Sequence, residues 1–360
     1  MQNVIKLLGD LVSFDTSDPT KGNKQIVDFV INYLKQFPIN IDLIKSSYSE
    51  SNTLFAYPKY SDKIEILFSG HLDVVSVKNQ NWKTDPFKIR VQDNKVYGRG
   101  TSDMKGFISC ILNTIPKFIQ DKIPFALAFT YDEETYCKSI QELMDNFSYF
   151  TPKLVLLGEP TQMNIDTMHK GVCDVQIDIQ GLAAHSSNPD KGINSILIAS
   201  EIIQYLKILE EKLKKENDAV FIPSNTTINI GSINGGTSAN SVPEFCSFKW
   251  DIRPISEKHI DFILNTVENF ITKLEEQTNA KINMQKTCNM PFFNNININV
   301  GGLHSGTTEA GFYQKNGMSA IICGPGNSEQ AHKADEYILI EQLEKCCKFL
   351  ECFEWRKYLK

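Results

Sequence analysis

Apolar residues fall along the chain in two textures, and the change between them predicts how it is organised. Over the first 168 residues, short unbroken apolar runs (IEILFSGHLD, IPFALAFTYDEE and PKLVLLGEP) alternate with amphipathic stretches, and each run ends abruptly in polar residues. Parallel strands buried by helices on both faces read this way, with polar groups gathered at their C-terminal ends. MQNVIKLLGDLVSF, with Ile5, Leu8 and Val12 at helical spacing, predicts an N-terminal amphipathic helix. Residues 107–120 and the stretch around 138–147 predict intervening helices.

After Met168 the pattern switches. GVCDVQIDIQG alternates apolar and polar positions, as a strand with one solvated face does. A helix is expected at about 192–216, then strands at TTINIGSINGG and FCSFKWDIRP, then a helix near 257–276. This β-α-β-β-α order describes a small α+β module over 169–281, inserted between the two parts of an α/β domain, 1–168 and 282–360. In the second part a strand is expected at SAIICGPG and a final helix at about 339–354. The mixed charges of LKILEEKLKKEN at 206–217 fit a solvated helix face.

Composition narrows the classes. A length of 360 residues allows two domains with their own cores. The net charge of −6, with no basic block interleaved with aromatics, argues against nucleic acid as a partner. No apolar run approaches the ~20 residues of a membrane-crossing helix, and the N-terminal stretch is not a secretory signal. Nine cysteines without a CxxC pair suggest free thiols and a cytoplasmic location.

Five candidate metal ligands lie where the apolar runs or glycine turns end. They are His71 in SGHLDVV, Asp103 in GRGTSDMKG, Glu134 in TYDEET, Glu159 in LLGEPT and His332 in GPGNSEQAHKADE. Imidazole nitrogen and carboxylate oxygen suit zinc. Two divalent cations, three carboxylates and one shared hydroxide would sum to neutrality. Adjacent Glu133 and Glu134 repel each other unless cations compensate, which leaves one of them as a general base. Asp73, two residues beyond His71, is placed to accept its imidazole N–H and set the tautomer.

The motifs follow one another in an order that resembles a known family. GHLDVV, YGRGTSDMKG, TYDEE, GEPT, HKG, GxxAHSS, NGGTSAN, DIRP, TEAG and GPGNSEQAHKADEY are similar to those of the zinc amidohydrolase/peptidase family. That family contains acetylornithine deacetylase, succinyl-diaminopimelate desuccinylase, aminoacylase and carboxypeptidase G, and the likeness spans about residues 5–345. It implies a mixed, mainly parallel sheet flanked by helices, of the di-zinc aminopeptidase type, with an inserted ferredoxin-like lid or dimerisation domain. It also implies two Zn²⁺ ions, with Co²⁺ as a possible substitute, bridged by Asp103. His71 and Glu159 would complete one ion's ligands, and Glu134 and His332 the other's. Glu133 would be the general base. His185 would stabilise the oxyanion in a partner subunit's site, which requires a homodimer through the inserted module. Arg253 and Asn240 would bind substrate, and Gly235 and Gly236 would let backbone approach it.

Within the family GEPTQM, AHSSNPDKGINSI and TTEAG look most like acetylornithine deacetylase, so the expected reaction is release of acetate from N2-acetyl-L-ornithine, in arginine biosynthesis. A related acetylcitrulline deacetylase, aminoacylase, succinyl-diaminopimelate desuccinylase or dipeptidase is the alternative. A noncatalytic metal- or amino-acid-binding protein is more remote, since no ligand or base is missing. GRG and GPG turns do not make the GxGxxG of a nucleotide-binding oxidoreductase. Two positions depart from the family pattern: Ser76, where relatives usually carry proline, and Thr135-Tyr136-Cys137, where relatives often carry a glycine.

Overall fold

Four fully buried strands set the frame: Ile66–His71, Phe125–Thr130, Leu154–Pro160 and Ala320–Gly324. They run parallel, in the spatial order Phe125–Thr130, Ile66–His71, Leu154–Pro160, Ala320–Gly324. The computed structural model describes residues 1–146, 151–295, 297–298 and 301–359. Antiparallel strands Asn52–Pro58 and Ile39–Lys45 extend one edge of the sheet, and Asp166–His169 pairs antiparallel on the other.

Successive residues of a strand face opposite layers, so continuous apolar runs are what a sheet covered on both faces requires. Phe68, Leu127 and Leu156 point into one layer, with helices Gln2–Val12, Lys24–Leu34, Lys105–Gln120 and Ile340–Glu351. There the Phe68 ring stacks on Phe118 at 5.3 Å and meets Trp355 edge-on at 6.1 Å. Burying a side chain of this size contributes ~1.5–3 kcal/mol. On the opposite face Leu67 lines a small cavity together with Leu143 and Met144 of the helix Lys138–Asn146. Residue 147, included in the expected helix, lies outside the described residues.

The chain divides into two compact units, Met1–Met168 with Phe293–Lys360, and His169–Phe292. The second has the order β-α-β-β-α-β, with the sheet arranged Thr227–Gly235, Phe245–Arg253, Val172–Gln180, Lys281–Met290, all antiparallel. That is the ferredoxin-like arrangement. Helices Ser195–Leu213 and Glu257–Thr278 join the core on one face, where Tyr205 and Phe270 stack at 4.0 Å. The Asn194 side chain caps the first of these helices by accepting from the N–H groups of Ile196 and Leu197. The unit runs past the expected end at residue 281, because Lys281–Met290 is its edge strand. An edge strand buries little, so the alternation that marks the module fades before the module does.

Among the described residues no helix is long and apolar enough to cross a membrane. Cys110, Cys323 and Cys346 are free and buried, and Cys352 is free and exposed.

Helix Lys105–Gln120 packs so closely on the sheet that a Cβ at Gly158 would lie 1.9 Å from Phe107 Cδ1. Gly158→Ala is therefore expected to destabilise the protein by at least ~1–3 kcal/mol through overpacking. Urea unfolding should show a lower midpoint with an unchanged slope, and an unchanged midpoint would mean that the helix shifts freely.

Candidate metal centre

Because the four central strands are parallel, their C-terminal ends share one edge of the sheet, and that edge carries the candidate ligands. His71 is the last residue of its strand, and Glu159 is the penultimate residue of Leu154–Pro160. Glu133 and Glu134 lie just beyond Phe125–Thr130, and His332 follows the loop after Ala320–Gly324. Asp103 comes from the turn before the helix Lys105–Gln120, whose N-terminal dipole favours a carboxylate.

One ligand atom each from His71, Asp103 and Glu134 lie within 4.8 Å of one another. Asp103 faces both imidazoles: Oδ1 is 3.1 Å from His71 Nε2, and Oδ2 is 3.5 Å from His332 Nε2. Glu159 Oε1 lies 3.8 Å from His71 Nε2, and Glu134 Oε2 lies 3.0 Å from His332 Nε2. Two half-sites, each with an imidazole and a carboxylate, thus meet at Asp103.

The electrostatics are those of a cation site. Burial, then Glu159, pushes the Glu133 carboxyl well above its ordinary range. Burial and Asp103 do the same to Glu159, and raise Glu134. Burial opposes charge on His71, yet Asp103, Asp73 and Glu159 hold its imidazolium well above the usual value. Hydrogen bonds to Asp103 and Glu134 lift His332 to about 10. Without cations, the carboxylates are held together by protons on themselves and on the imidazoles. Two divalent ions would replace those protons, and the mix of nitrogen and oxygen donors fits zinc or a similar metal.

The turn beyond Thr130 is built by neighbouring acids. The Asp132 carbonyl accepts the N–H groups of Thr135, Tyr136 and Cys137. Its carboxylate accepts the Tyr48 hydroxyl at 2.6 Å and the Lys138 and Ser139 N–H groups at 2.9 and 3.0 Å. Cys137 takes a left-handed φ of 49°, which gives a physical reason for the glycine that relatives often carry in this stretch. The Asp73 carboxylate accepts the N–H of Glu133 at 3.3 Å and of Glu134 at 3.0 Å. Its nearest oxygen is 3.5 Å from His71 Nδ1, whereas the Asp73 carbonyl is 3.0 Å away. Asp73 therefore orients His71 mainly through its backbone, and its carboxylate holds the glutamate pair. The Glu133 carboxylate has no hydrogen-bond partner among the described residues.

His185, Asn240 and Arg253 belong to the second unit. The pair Ala184–His185 is antiparallel to Ser241–Val242, and Ser186 N–H donates to the Asn240 carbonyl at 3.1 Å, so His185 and Asn240 are neighbours. His185 Nδ1 accepts the Ser187 N–H at 3.1 Å, which leaves the proton of a neutral ring on Nε2, on an exposed side chain. Arg253 Nε bonds Asp251 at 3.1 Å. Gly235 is closely packed: a Cβ there would fall 2.9 Å from Cys246 Sγ and from Ile196 Cγ1.

Motif reading passed over Glu309 and Glu336, both buried carboxylates inside quoted motifs. An acid that follows two threonines in TTEAG and leads into the apolar start of a helix was the available signal. Glu309 Oε2 lies 3.5 Å from the Ser69 hydroxyl, Ser69 meets Tyr313 at 2.9 Å, and Glu309 Oε1 is buried without a hydrogen-bond partner among the described residues. Burial pushes this carboxyl from 4.5 to about 8. The folded chain then keeps a proton that the unfolded chain releases. The associated stability is fully present below pH 4.5 and is lost as pH rises through about 8. In metal-free protein, the melting temperature of wild type relative to Glu309→Gln should fall over that interval. A difference independent of pH in calorimetry with chelator would contradict this.

A sequence profile of Peptidase family M20/M25/M40 matches residues 67–354. The acetylornithine deacetylase of Buchnera aphidicola subsp. Acyrthosiphon pisum is 30% identical over 342 residues, covering 88% of this chain and 87% of that protein. Among solved structures, an M20 family metallo-carboxypeptidase from Sulfolobus solfataricus aligns with a TM-score of 0.78 at 18% identity, covering 98% of each chain. A dinuclear metal-binding M20 peptidase of Bacillus subtilis aligns at 0.67 with 15% identity, covering 97% of this chain and 96% of the other. At those identities the structures speak for the fold alone, whereas the profile spans most of the sequence. The chain belongs to peptidase family M20/M25/M40, a family of metal-dependent hydrolases of peptides and related amides.

Proposed function

We propose that the protein hydrolyses the acyl amide of an N-acyl amino acid in the cytoplasm, with N2-acetyl-L-ornithine as the first candidate substrate and acetate and ornithine as products. The observation that carries this reading is Asp103 between His71 and His332, beside a Glu133 carboxylate without a hydrogen-bond partner among the described residues. The name of the Buchnera relative supports the choice of substrate. His71, Asp103 and Glu159 would hold one zinc ion, and Asp103, Glu134 and His332 the other. When bound, the ions neutralise the carboxylates, acidify a water and polarise the amide carbonyl.

The chain's own residues then handle the proton. Glu133 takes it from the attacking water, and the water oxygen bonds to the carbonyl carbon. As the carbon–nitrogen bond breaks, Glu133 passes the proton to the departing amine. Burial raises its proton affinity toward what a base working near neutrality needs. Asp73 keeps the Glu133–Glu134 turn in place through two backbone N–H groups. His185 offers Nε2–H to the developing oxyanion. Arg253, engaged through Nε, can still clasp a substrate carboxylate through both Nη groups, with Asn240 as a second polar contact.

His185 acts on the site of a second copy in this reading, through a homodimer formed by the inserted module. The surface available for that contact is the edge strand Thr227–Gly235, with exposed Ile233, Leu197 and Ile208 close to it in the fold.

Glu133→Gln should lower kcat by about 10²–10⁴-fold while metal content stays at the wild-type level. Turnover within tenfold of wild type in metal-replete assays would remove Glu133 as the base. Initial rates on N-acetylornithine, N-acetylcitrulline, other N-acetyl amino acids, succinyl-diaminopimelate and dipeptides then rank the substrates, and a preference for dipeptides would overturn the deacylase reading.

Leu197→Asp should turn the dimer into monomer in sedimentation and abolish turnover without affecting metal binding. A fully active monomer would exclude His185 in trans.

A further inference from the structure

Glu336 is 1% exposed, yet its two carboxylate oxygens accept four N–H donors. Oε1 takes the backbone N–H groups of Ser102 at 2.8 Å and Asp103 at 3.1 Å. Oε2 takes the Gly100 N–H at 3.0 Å and Arg99 Nη1 at 2.7 Å. Each oxygen is thereby committed to two donors, which is the pattern of an ionised carboxylate, and Arg99 and the backbone N–H groups oppose the upward push of burial on its proton affinity. The Glu336 backbone is itself fixed: its carbonyl accepts the Gly98 N–H at 3.0 Å, and the strand Tyr337–Leu339 pairs with Lys95–Tyr97.

From Arg99 the same set of bonds continues to the other half-site. Arg99 Nη2 donates to Gln80 Oε1 at 2.6 Å, and Gln80 Nε2 donates to the His332 carbonyl at 2.9 Å. Trp82 Nε1 also donates to Gln80 Oε1, at 3.0 Å, and its ring lies 5.0 Å from the Arg99 guanidinium carbon. This bracing meets a backbone in need of it, since His332 has a left-handed φ of 63°. Such a conformation is unfavourable for a non-glycine residue unless its surroundings hold it.

We propose that Glu336, acting through Arg99 and Gln80, is the positioning residue of the metal centre: it ties the Asp103 turn to the His332 loop, so that the donors of both half-sites stand converged before an ion binds. The inference rests on the metal-hydrolase reading above. It goes beyond that reading by assigning a role to a residue that touches neither ion nor substrate. A buried ion pair contributes little net stability compared with an apolar pair of the same shape. The distinctive feature here is where the bonds go, namely to the backbone of the ligand loops.

Glu336→Gln puts an amide where one oxygen stood, so two of the four donors lose their acceptor. In full-length protein stripped of metal, Zn²⁺ affinity measured by chelator competition should fall about 10–100-fold. The absorption spectrum of the Co²⁺-loaded variant should differ from wild type. Turnover should recover with excess Zn²⁺ while KM stays near the wild-type value. Should Glu336→Gln fail to fold by circular dichroism, Gln80→Ala, at a half-buried position, replaces it and should weaken one of two bound ions while sparing the other. A folded variant with wild-type Zn²⁺ affinity and Co²⁺ spectrum would overturn the proposal. Wild-type protein that binds no divalent ion would instead sink the metal-hydrolase reading, and this inference with it.

Discussion

Negative charge gathered at the edge of a buried sheet is the constraint to which the rest of this structure answers. Asp103, Glu133, Glu134 and Glu159 converge with two imidazoles where the strands end. At an effective dielectric of about 20, two carboxylates 4 Å apart repel by about 4 kcal/mol. Several such pairs would spread the loops apart unless positive charge lay between them. Protons serve in part: the raised carboxyls and the lifted His71 and His332 record that compensation. Divalent ions would serve better, and in binding they would release the protons, so metal affinity depends on pH through the same groups.

Convergence of like charges also needs a frame that resists them. Three other acids supply it, and each does so by accepting N–H groups from the backbone of a ligand-bearing turn. Asp132 closes the turn behind the glutamate pair, Asp73 accepts from Glu133 and Glu134, and Glu336 accepts from residues 100, 102 and 103. Left-handed backbone at Cys137 lies in the turn that Asp132 closes, and His332 and Asp335 take it in the segment that leads into Glu336. The site is thus two sets of carboxylates, one facing inward to the cations and the other gripping the peptide groups that aim the first.

The inward set was legible in the sequence, because each ligand sits at a break in hydrophobic pattern. The apolar strands ending in His71 and Glu159 show this best, since local composition alone marks both the strand and its end. The family resemblance added which carboxylate faces which imidazole. The gripping set was legible only as residues inside motifs. Glu336 and Asp103 are joined by bonds across most of the first unit's chain, and no local pattern reports such a contact. Asp73 was read as the acceptor for His71 because the spacing allows it. The fold gives that task mainly to the carbonyl of Asp73 and turns its carboxylate to the next strand's loop. The end of the inserted module escaped for a different reason: an exposed edge strand has little apolar content with which to announce itself.

The ligand set cannot choose the substrate. The family to which the chain belongs takes in peptidases and acetylornithine deacetylase alike, so membership bears on the kind of bond broken and leaves the substrate open. Discrimination has to come from groups that meet the substrate's own polar ends. Arg253 is nearly half exposed and spends one donor on Asp251. That bond orients the guanidinium while leaving its two outer nitrogens parallel and free to meet a carboxylate. A substrate without a carboxylate there would leave the charge paired only by Asp251, and a charged hydrogen bond of this kind contributes about 1.5–3 kcal/mol. Under the proposed reading, Arg253 would select for a substrate carboxylate, while the ligand set supplies a chemistry common to the family.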